Sequence, residues 1–175
     1  MSFGTNIDWV NAQWCNSDYN KFADNPEFVE FYNGDYRVFR SFFWNVIKKL
    51  ISDYYGFERE SWEWSKKIVW SNLYKIAPDG RNPNWQEMDF QKETSFELVR
   101  KEIEEINPKF CIVLTNLSWW QPFGEALNTI KIENKYIPAE IESVEMYNNT
   151  KIIVTKRPRF GDSDYYIREI LKLIK

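Results

Sequence analysis

The sequence predicts an α/β protein, a three-layer α/β/α sandwich with a small central and mainly parallel sheet. Short apolar runs alternate along the chain with segments of helical apolar periodicity. Buried parallel strands have this uninterrupted apolar character because helices cover both faces of their sheet. A length of 175 residues suffices for one domain with a sizeable core, so we expect residues 1–175 to form a single domain.

The amino-acid composition narrows the class of protein and its compartment. Aromatic residues make up 18% of the chain, which favours a packed globular body over disorder. The absence of histidine excludes imidazole-based catalysis and most zinc sites. Cys15 and Cys111 are isolated, so they imply no disulfide framework. No apolar run approaches a membrane span and the N-terminal region is polar, so we expect a cytoplasmic protein without membrane association.

Two elements are predicted in the first part of the chain. From Tyr36 to Tyr54 apolar residues recur at intervals of three and four, the period of a half-buried helix. The apolar run Ile68–Trp70 then predicts a buried strand. This strand ends in the polar residues Asn72 and Lys75, which precede a Pro-Asp-Gly turn.

A regular alternation of elements is predicted for the rest of the chain. The segment Thr94–Glu97 has the S/T-x-x-E spacing of a capping box and predicts a helix that ends near Ile106. In chain order there follow a buried strand over Phe110–Leu114, a helix over Ser118–Asn128, edge strands within Ile130–Asn149, a buried strand over Lys151–Thr155 and a helix over Ser163–Ile174.

The predicted strands end in polar loops that we expect to meet. The carboxyl ends of parallel strands open on one edge of a sheet, and ligands bind there. One loop runs from Asn72 to Lys75, a second from Thr115 to Trp120, and a third from Lys156 to Phe160. We expect the early loop around Asn6 and Asp8 to join them.

The side chains of these loops suit nucleic acid. Amides read base edges, aromatic rings stack on bases, and Arg and Lys contact phosphates. Residues 151–175 hold seven Lys and Arg against three Asp and Glu, which permits a polyanion-binding face despite a net charge of −3. Each residue alone has an ordinary alternative, because polar strand exits, solvent-facing cations and core tryptophans are all common.

Four segments, IVWSNLYKIAPDGRNPNW, SFELVRKEIEEINP, FCIVLTNLSWW and IIVTKRPRFG, together resemble the second half of the uracil-DNA glycosylase superfamily. That superfamily has a strand ending in Asn, a helix, a strand ending at a small residue, and a last strand ending in a His-Pro-type loop. The resemblance covers roughly Ile68 to Gly161. The first motif of the superfamily is a Gly-Gln-Asp/Glu-type loop after the first strand, and divergent members have a Glu-Thr-Asn-x-Trp form of it. The segment GTNIDW at Gly4–Trp9 is similar to that form. The family's His is replaced here by Arg157, ahead of Pro158.

The resemblance implies a uracil-DNA-glycosylase-like fold and a DNA glycosylase activity. Such an enzyme flips an ordinary or modified base out of the stack and hydrolyses its N-glycosidic bond, leaving an abasic site. It implies that Asn72 holds the base edge and that Arg157 offsets negative charge on the base or the adjacent phosphate. Asp8, or Asn6 in its place, is then expected to position the water and stabilise the sugar cation.

Aromatic rings and cations complete the expected site. Trp119 or Trp120 is expected to stack on the flipped base or to fill the gap that it leaves. Lys75, Lys156 and Arg159 are expected to contact DNA. We expect no metal and no cofactor, and a monomer that binds single- or double-stranded DNA.

Two other interpretations stay open. The absence of His, and the lack of a carboxylate that aligns with the family's water-activating acid, favour a catalytically inactive nucleic-acid-binding module on the same fold. An acidic protein-binding phage or defence factor fits the net charge of −3, although the basic C-terminal quarter argues against it.

Overall fold

The computed structural model describes residues 42–59, 61, 63–77, 82–132, 138–158 and 163–174. These residues belong to two compact units. The described part of the first unit lies within residues 42–71 and 158–173, and that of the second within residues 72–157, with Ile174.

Helices and strands alternate over much of the described chain. In chain order the elements are helix α1 (Phe42–Tyr55), a 3₁₀ helix (Glu63–Lys67), α2 (Trp85–Ile106), β1 (Phe110–Val113), α3 (Leu117–Leu127), β2 (Ile130–Lys131), β3 (Ile141–Tyr147), β4 (Thr150–Thr155) and α4 (Ser163–Ile174). This content confirms the predicted α/β class. The elements from β1 onward lie within one residue or two of their predicted positions.

The four described strands form one mixed sheet in the order β1-β4-β3-β2. Strands β1 and β4 are parallel, whereas β3 runs antiparallel to both β4 and β2. The prediction of a mainly parallel sheet is therefore wrong for the described strands. The cause is the two-residue turn Asn148–Asn149 between β3 and β4, because so short a connection permits only antiparallel pairing.

The apolar run Ile68–Trp70, which was predicted to be a buried strand, has no strand conformation. Val69 is 50% exposed. The ring of Trp70 instead packs edge-on against that of Trp44 on α1, with 5.0 Å between centroids. A run of three apolar residues has too little periodicity to distinguish a strand from an extended segment held by aromatic packing.

Helix α2 begins at Trp85, well before the predicted start at Thr94. The Oδ1 atom of Asn84 accepts hydrogen bonds from the backbone N of Gln86 and Glu87, both at 3.0 Å, and Glu87 Oε2 accepts from Asn84 N at 2.7 Å. This is a capping box with the spacing that had been expected ten residues later. The helix therefore gains more than two turns at its N-terminal end.

The core of the second unit lies between helices α2 and α3 and one face of the sheet. Cys111 pairs with Ile152 and Val113 with Val154, so these residues of the two parallel strands share the face that meets the helices. The buried residues of this cluster are Val99, Ile103, Val113, Trp120, Phe123, Leu127, Ile152 and Val154.

Charged contacts link two helices of the first unit, α1 and α4. Lys49 Nζ on α1 donates to Ser163 Oγ at 2.9 Å and to Asp164 Oδ1 at 3.2 Å at the start of α4. The hydrogen bond from Lys49 is the main reason that the pKa of Asp164 is lowered. Arg59 adds a second pair, with 2.6 Å between its Nη2 and Asp53 Oδ2.

The thiol of Cys111 makes the free energy of unfolding fall as the pH rises in the alkaline range. Burial, with a smaller contribution from the charge of Glu102, raises its pKa from 9.0 to about 11. The unfolded chain therefore loses this proton near pH 9 while the folded chain keeps it. The resulting stabilisation is complete below pH 9 and is lost as the pH rises through about 11.

We predict that the wild type loses about 2 kcal/mol more of its unfolding free energy between pH 8 and pH 10.5 than a Cys111→Val variant does. Urea unfolding at the two pH values measures this difference. Ionisation of all other groups is common to both proteins and cancels. Equal losses in the two proteins would show that Cys111 does not titrate as this environment requires.

Candidate functional site

Three of the segments predicted to form the site meet at one end of the second unit's sheet. Because β1 and β4 are parallel, both end at this edge, and Asn116 N donates a hydrogen bond to Thr155 O at 3.0 Å. The ring of Tyr74 lies edge-on to that of Trp119 on α3, with 6.0 Å between centroids. Segment 72–77 is thereby joined to the exit of β1, which is itself bonded to the exit of β4.

Segment 72–77 contains no helix or strand and is fixed by side chains. Gln91 of α2 bonds the backbone of Ile76 in both directions: Ile76 N donates to Oε1 at 2.9 Å, and Nε2 donates to Ile76 O at 2.7 Å. The ring of Tyr74 also packs edge-on against Phe123, with 5.2 Å between centroids. The exposed Asn72 therefore begins a segment that is anchored within a few residues.

Lys75, a predicted DNA contact, is engaged by Glu102 of α2. Its Nζ lies 3.0 Å from Oε1 and 2.8 Å from Oε2, and the two side chains are only 13% and 14% exposed. Burial lowers the pKa of Lys75, and the hydrogen bond and charge of Glu102 oppose this shift. Moving Lys75 to a phosphate would leave Glu102 nearly buried without its cation, so the contact favours a structural role.

The consecutive tryptophans of α3 lie in different surroundings. Trp120 is 1% exposed, stacks on Phe123 and donates from Nε1 to Glu145 Oε2 at 2.9 Å. Trp119, about 100° further round the helix, is half-buried beside Tyr74. This placement gives Trp120 a role in the core and leaves the predicted stacking role to Trp119.

The predicted cations after β4 are exposed. Lys156 and Arg157 follow the last residue of the strand, and Lys156 N donates to Glu140 O at 2.9 Å. This backbone bond ties the exit of β4 to the residues just before β3. The other predicted site residues, Asn6, Asp8 and Arg159, lie outside the described residues.

Sequence reasoning missed a carboxylate at this edge, that of Glu142. The pairing of β3 with β4 shifts between Ile141 and Ser143, so Glu142 is the extra residue of a β-bulge. Its Oε2 accepts a hydrogen bond from the backbone N of Leu117, the first residue of α3. The visible signal was the pair of acidic residues, Glu142 and Glu145, in the strand IESVEMY, but this spacing does not reveal a bulge.

Asn116, between β1 and α3, has a backbone conformation that side chains rarely adopt. Its φ of 91° and ψ of 161° fall in a region used mainly by glycine, at a cost of roughly 1–3 kcal/mol. It occupies the cap position of α3, yet its side chain makes no capping hydrogen bond. The carboxylate of Glu142 instead satisfies the first N–H of the helix.

A second carboxylate of β3, that of Glu145, is 2% exposed beneath α3. Its Oε2 accepts from Trp120 Nε1 at 2.9 Å and from Thr129 Oγ1 at 2.6 Å, and its Oε1 accepts from Ser143 Oγ at 2.7 Å. Gly124 leaves room for this network, because a Cβ there would lie 3.0–3.1 Å from Trp120 Nε1, Glu145 Oε2 and Thr129 Oγ1. These contacts fix α3 against β3.

We predict that Glu145→Gln changes the unfolding free energy by less than about 1 kcal/mol, because the amide can complete the same three bonds through the rotatable Ser143 hydroxyl. Glu145→Leu should cost about 3 kcal/mol or more, since it leaves buried donors unpaired. Urea unfolding measures both, with Glu125→Leu on the exposed side of α3 as the control. Equal stability of the Gln and Leu variants at position 145 would contradict this role.

Other features of the described ranges do not add to this site. A groove of about 590 Å³ along α2 is lined by residues that include Glu97, Arg100 and Ala126, and it contains none of the candidate site residues. None of the helices in these ranges combines the length and the apolar character that a membrane span requires. These ranges also contain no group of three His, Cys, Asp or Glu side chains arranged to hold a metal ion.

Comparison with protein-family models, with curated proteins and with solved structures gives no match to this chain. The function that we propose for it therefore depends on the chemistry and placement of its own residues.

Proposed function

We propose that this chain is a DNA glycosylase that receives a flipped base at the edge where β1 and β4 end. The observation that carries the proposal is the meeting of segment 72–77, the start of α3 and the exit of β4 at that edge. Asn72 at the start of that segment and Lys156 and Arg157 after β4 are exposed, and Trp119 is half-buried. An amide, an aromatic ring and two cations are the groups that read a base, stack on it and hold its phosphates.

The proposed roles follow from the charges that develop during hydrolysis. As the C1′–N bond breaks, positive charge develops on the sugar and negative charge on the departing base. Arg157 supplies a fixed positive charge toward the base or the adjacent phosphate, and Asn72 holds the base edge. Such groups accelerate the reaction only when they are oriented before it begins.

The anchoring of segment 72–77 supports this proposal. An exposed loop that began with Asn72 and had no fixed backbone would lose conformational entropy on each binding event. Here Gln91 bonds both backbone groups of Ile76, and Tyr74 packs between Trp119 and Phe123. A binding residue on such a support loses little freedom when a ligand arrives.

We predict that the wild type produces alkali-labile abasic sites in an oligonucleotide that carries the correct base. The panel comprises uracil, mismatched thymine and several modified cytosines, each in single- and double-stranded DNA. Asn72→Ala should lower the rate of base release about 100-fold, the usual effect of removing one preorganised hydrogen-bonding group. Its melting temperature should stay close to that of the wild type, because Asn72 is exposed.

Asn149→Ala is the matched control, since Asn149 is an exposed asparagine in the β3–β4 turn at the opposite end of the sheet. It should retain full activity. If the wild type binds DNA but releases no base from any member of the panel, the protein is a binding module and the glycosylase proposal fails.

A further prediction concerns the salt dependence of DNA binding. Lysine and arginine contacts to phosphates release counterions, so affinity should fall steeply as the salt concentration rises. Replacing Lys156 and Arg157 by alanine should reduce the slope of log K against log salt by about one for each residue. Lys101→Ala on α2 serves as the control, and a flat salt response of the wild type would favour a protein partner instead.

A further inference from the structure

Glu142 is a carboxylate at the candidate edge that uses one of its oxygens to bond α3. It lies on β3, next to the end of β4, and it is half-buried. Its Oε2 is held by the backbone N of Leu117, while the described part of the chain provides no hydrogen-bond partner for Oε1. One oxygen is thus anchored and the other is available to a water molecule.

The β-bulge explains how this carboxylate reaches the edge. Residues 142 and 145 are three positions apart, and in a regular strand such residues point to opposite faces of the sheet. Here Glu142 bonds Leu117 and Glu145 bonds Trp120, so both carboxylates reach the same helix, α3. The extra residue between Ile141 and Ser143 reverses the facing of Glu142, as bulges beside functional sites often do.

Glu142 and its neighbour Glu140 are bonded to two of the predicted loops, the ones that follow β1 and β4. Leu117, which it bonds, follows Asn116, and Asn116 N is bonded to Thr155 O at the end of β4. Lys156 N is in turn bonded to Glu140 O, two residues before Glu142. Glu142 therefore lies beside the exit of β4 and is bonded to the first residue of α3, which follows β1.

On the basis of the proposed glycosylase function, we infer that Glu142 is its water-activating carboxylate. Water attacks C1′ of the flipped nucleotide as the C1′–N bond breaks, and the bonding electron pair leaves with the base. A proton of the attacking water passes to Glu142 and then to the departing base or the solvent. Before this transfer the negative charge of Glu142 also stabilises the positive charge on the sugar.

The alternative is that Glu142 serves only to cap helix α3. Glutamine keeps an oxygen that accepts from Leu117 N, so a mere cap should tolerate Glu142→Gln. A general base should not tolerate it, because the amide cannot accept the proton of water. We therefore expect Glu142→Gln to lower base release about 100-fold or more, with the melting temperature and the affinity for the same oligonucleotide unchanged.

Glu140→Gln is the matched control, since it removes the same charge from the same edge two residues away. It should keep most of the wild-type rate.

A second variant separates chemistry from folding. Formate should partly restore base release to Glu142→Ala, because a small carboxylate can enter the vacated space, and it should not restore Asn72→Ala. An active wild type whose Glu142→Gln variant keeps more than about a third of its rate would overturn the assignment of Glu142 alone. A wild type that releases no base from the whole panel would overturn the glycosylase function and this assignment with it.

Discussion

The parallel pairing of β1 with β4 is the constraint on which the candidate site depends. It ends the two strands at one edge, where Asn116 N bonds Thr155 O and fixes the start of α3 beside the exit of β4. The strained backbone of Asn116 is sustained by this bond and by its carbonyl, which accepts from the backbone N of Trp119 and of Trp120 at 3.2 Å. Without the pairing, neither Trp119 nor Arg157 would have a defined position relative to the other.

The antiparallel strand β3 adds what a purely parallel sheet would lack. In a parallel sheet only the carboxyl ends of strands reach the exit edge, whereas here the first residues of β3 reach it as well. Glu142 comes to the edge in this way, and the bulge turns it toward α3. The mixed sheet that contradicts the predicted topology therefore supplies the acidic group that the predicted loops did not contain within the described chain.

The elements that could be predicted from the sequence were those with strong local signals. The strand at Phe110 is an uninterrupted apolar run and the helix over Ser163–Ile174 has helical apolar periodicity, and both were placed nearly correctly. The region Ile130–Asn149 alternates only loosely, and its edge strands were predicted without bounds. The start of α2 was missed because Asn84 and Glu87 form a capping box with Asn in place of Ser or Thr. No strand forms at Ile68–Trp70, where the ring of Trp70 packs against Trp44 and Val69 is half exposed, and this packing is a tertiary effect.

For the site too, the sequence predicts what depends on local signals but not what depends on tertiary packing. Asn72, Trp119, Lys156 and Arg157 could be proposed from their position after apolar runs, and the structure leaves them at least partly accessible. Which member of a neighbouring pair would be buried could not be predicted, because that depends on the facing of a helix or a bulge. Only the three-dimensional structure assigns Trp120 to the core and Lys75 to an ion pair with Glu102.

At this edge, residues with fixed contacts lie next to residues that stay accessible to solvent. Trp120 holds α3 to β3 through Glu145, and the adjacent Trp119 is thereby positioned without being buried. Both carboxylate oxygens of Glu145 accept hydrogen bonds, from three donors in all. Among the described residues, Glu142 accepts a hydrogen bond only at Oε2, from α3. Lys75 anchors the segment that Asn72 begins. In each pair one residue holds the local structure through fixed contacts, so that its neighbour would lose little further entropy on binding the proposed ligand.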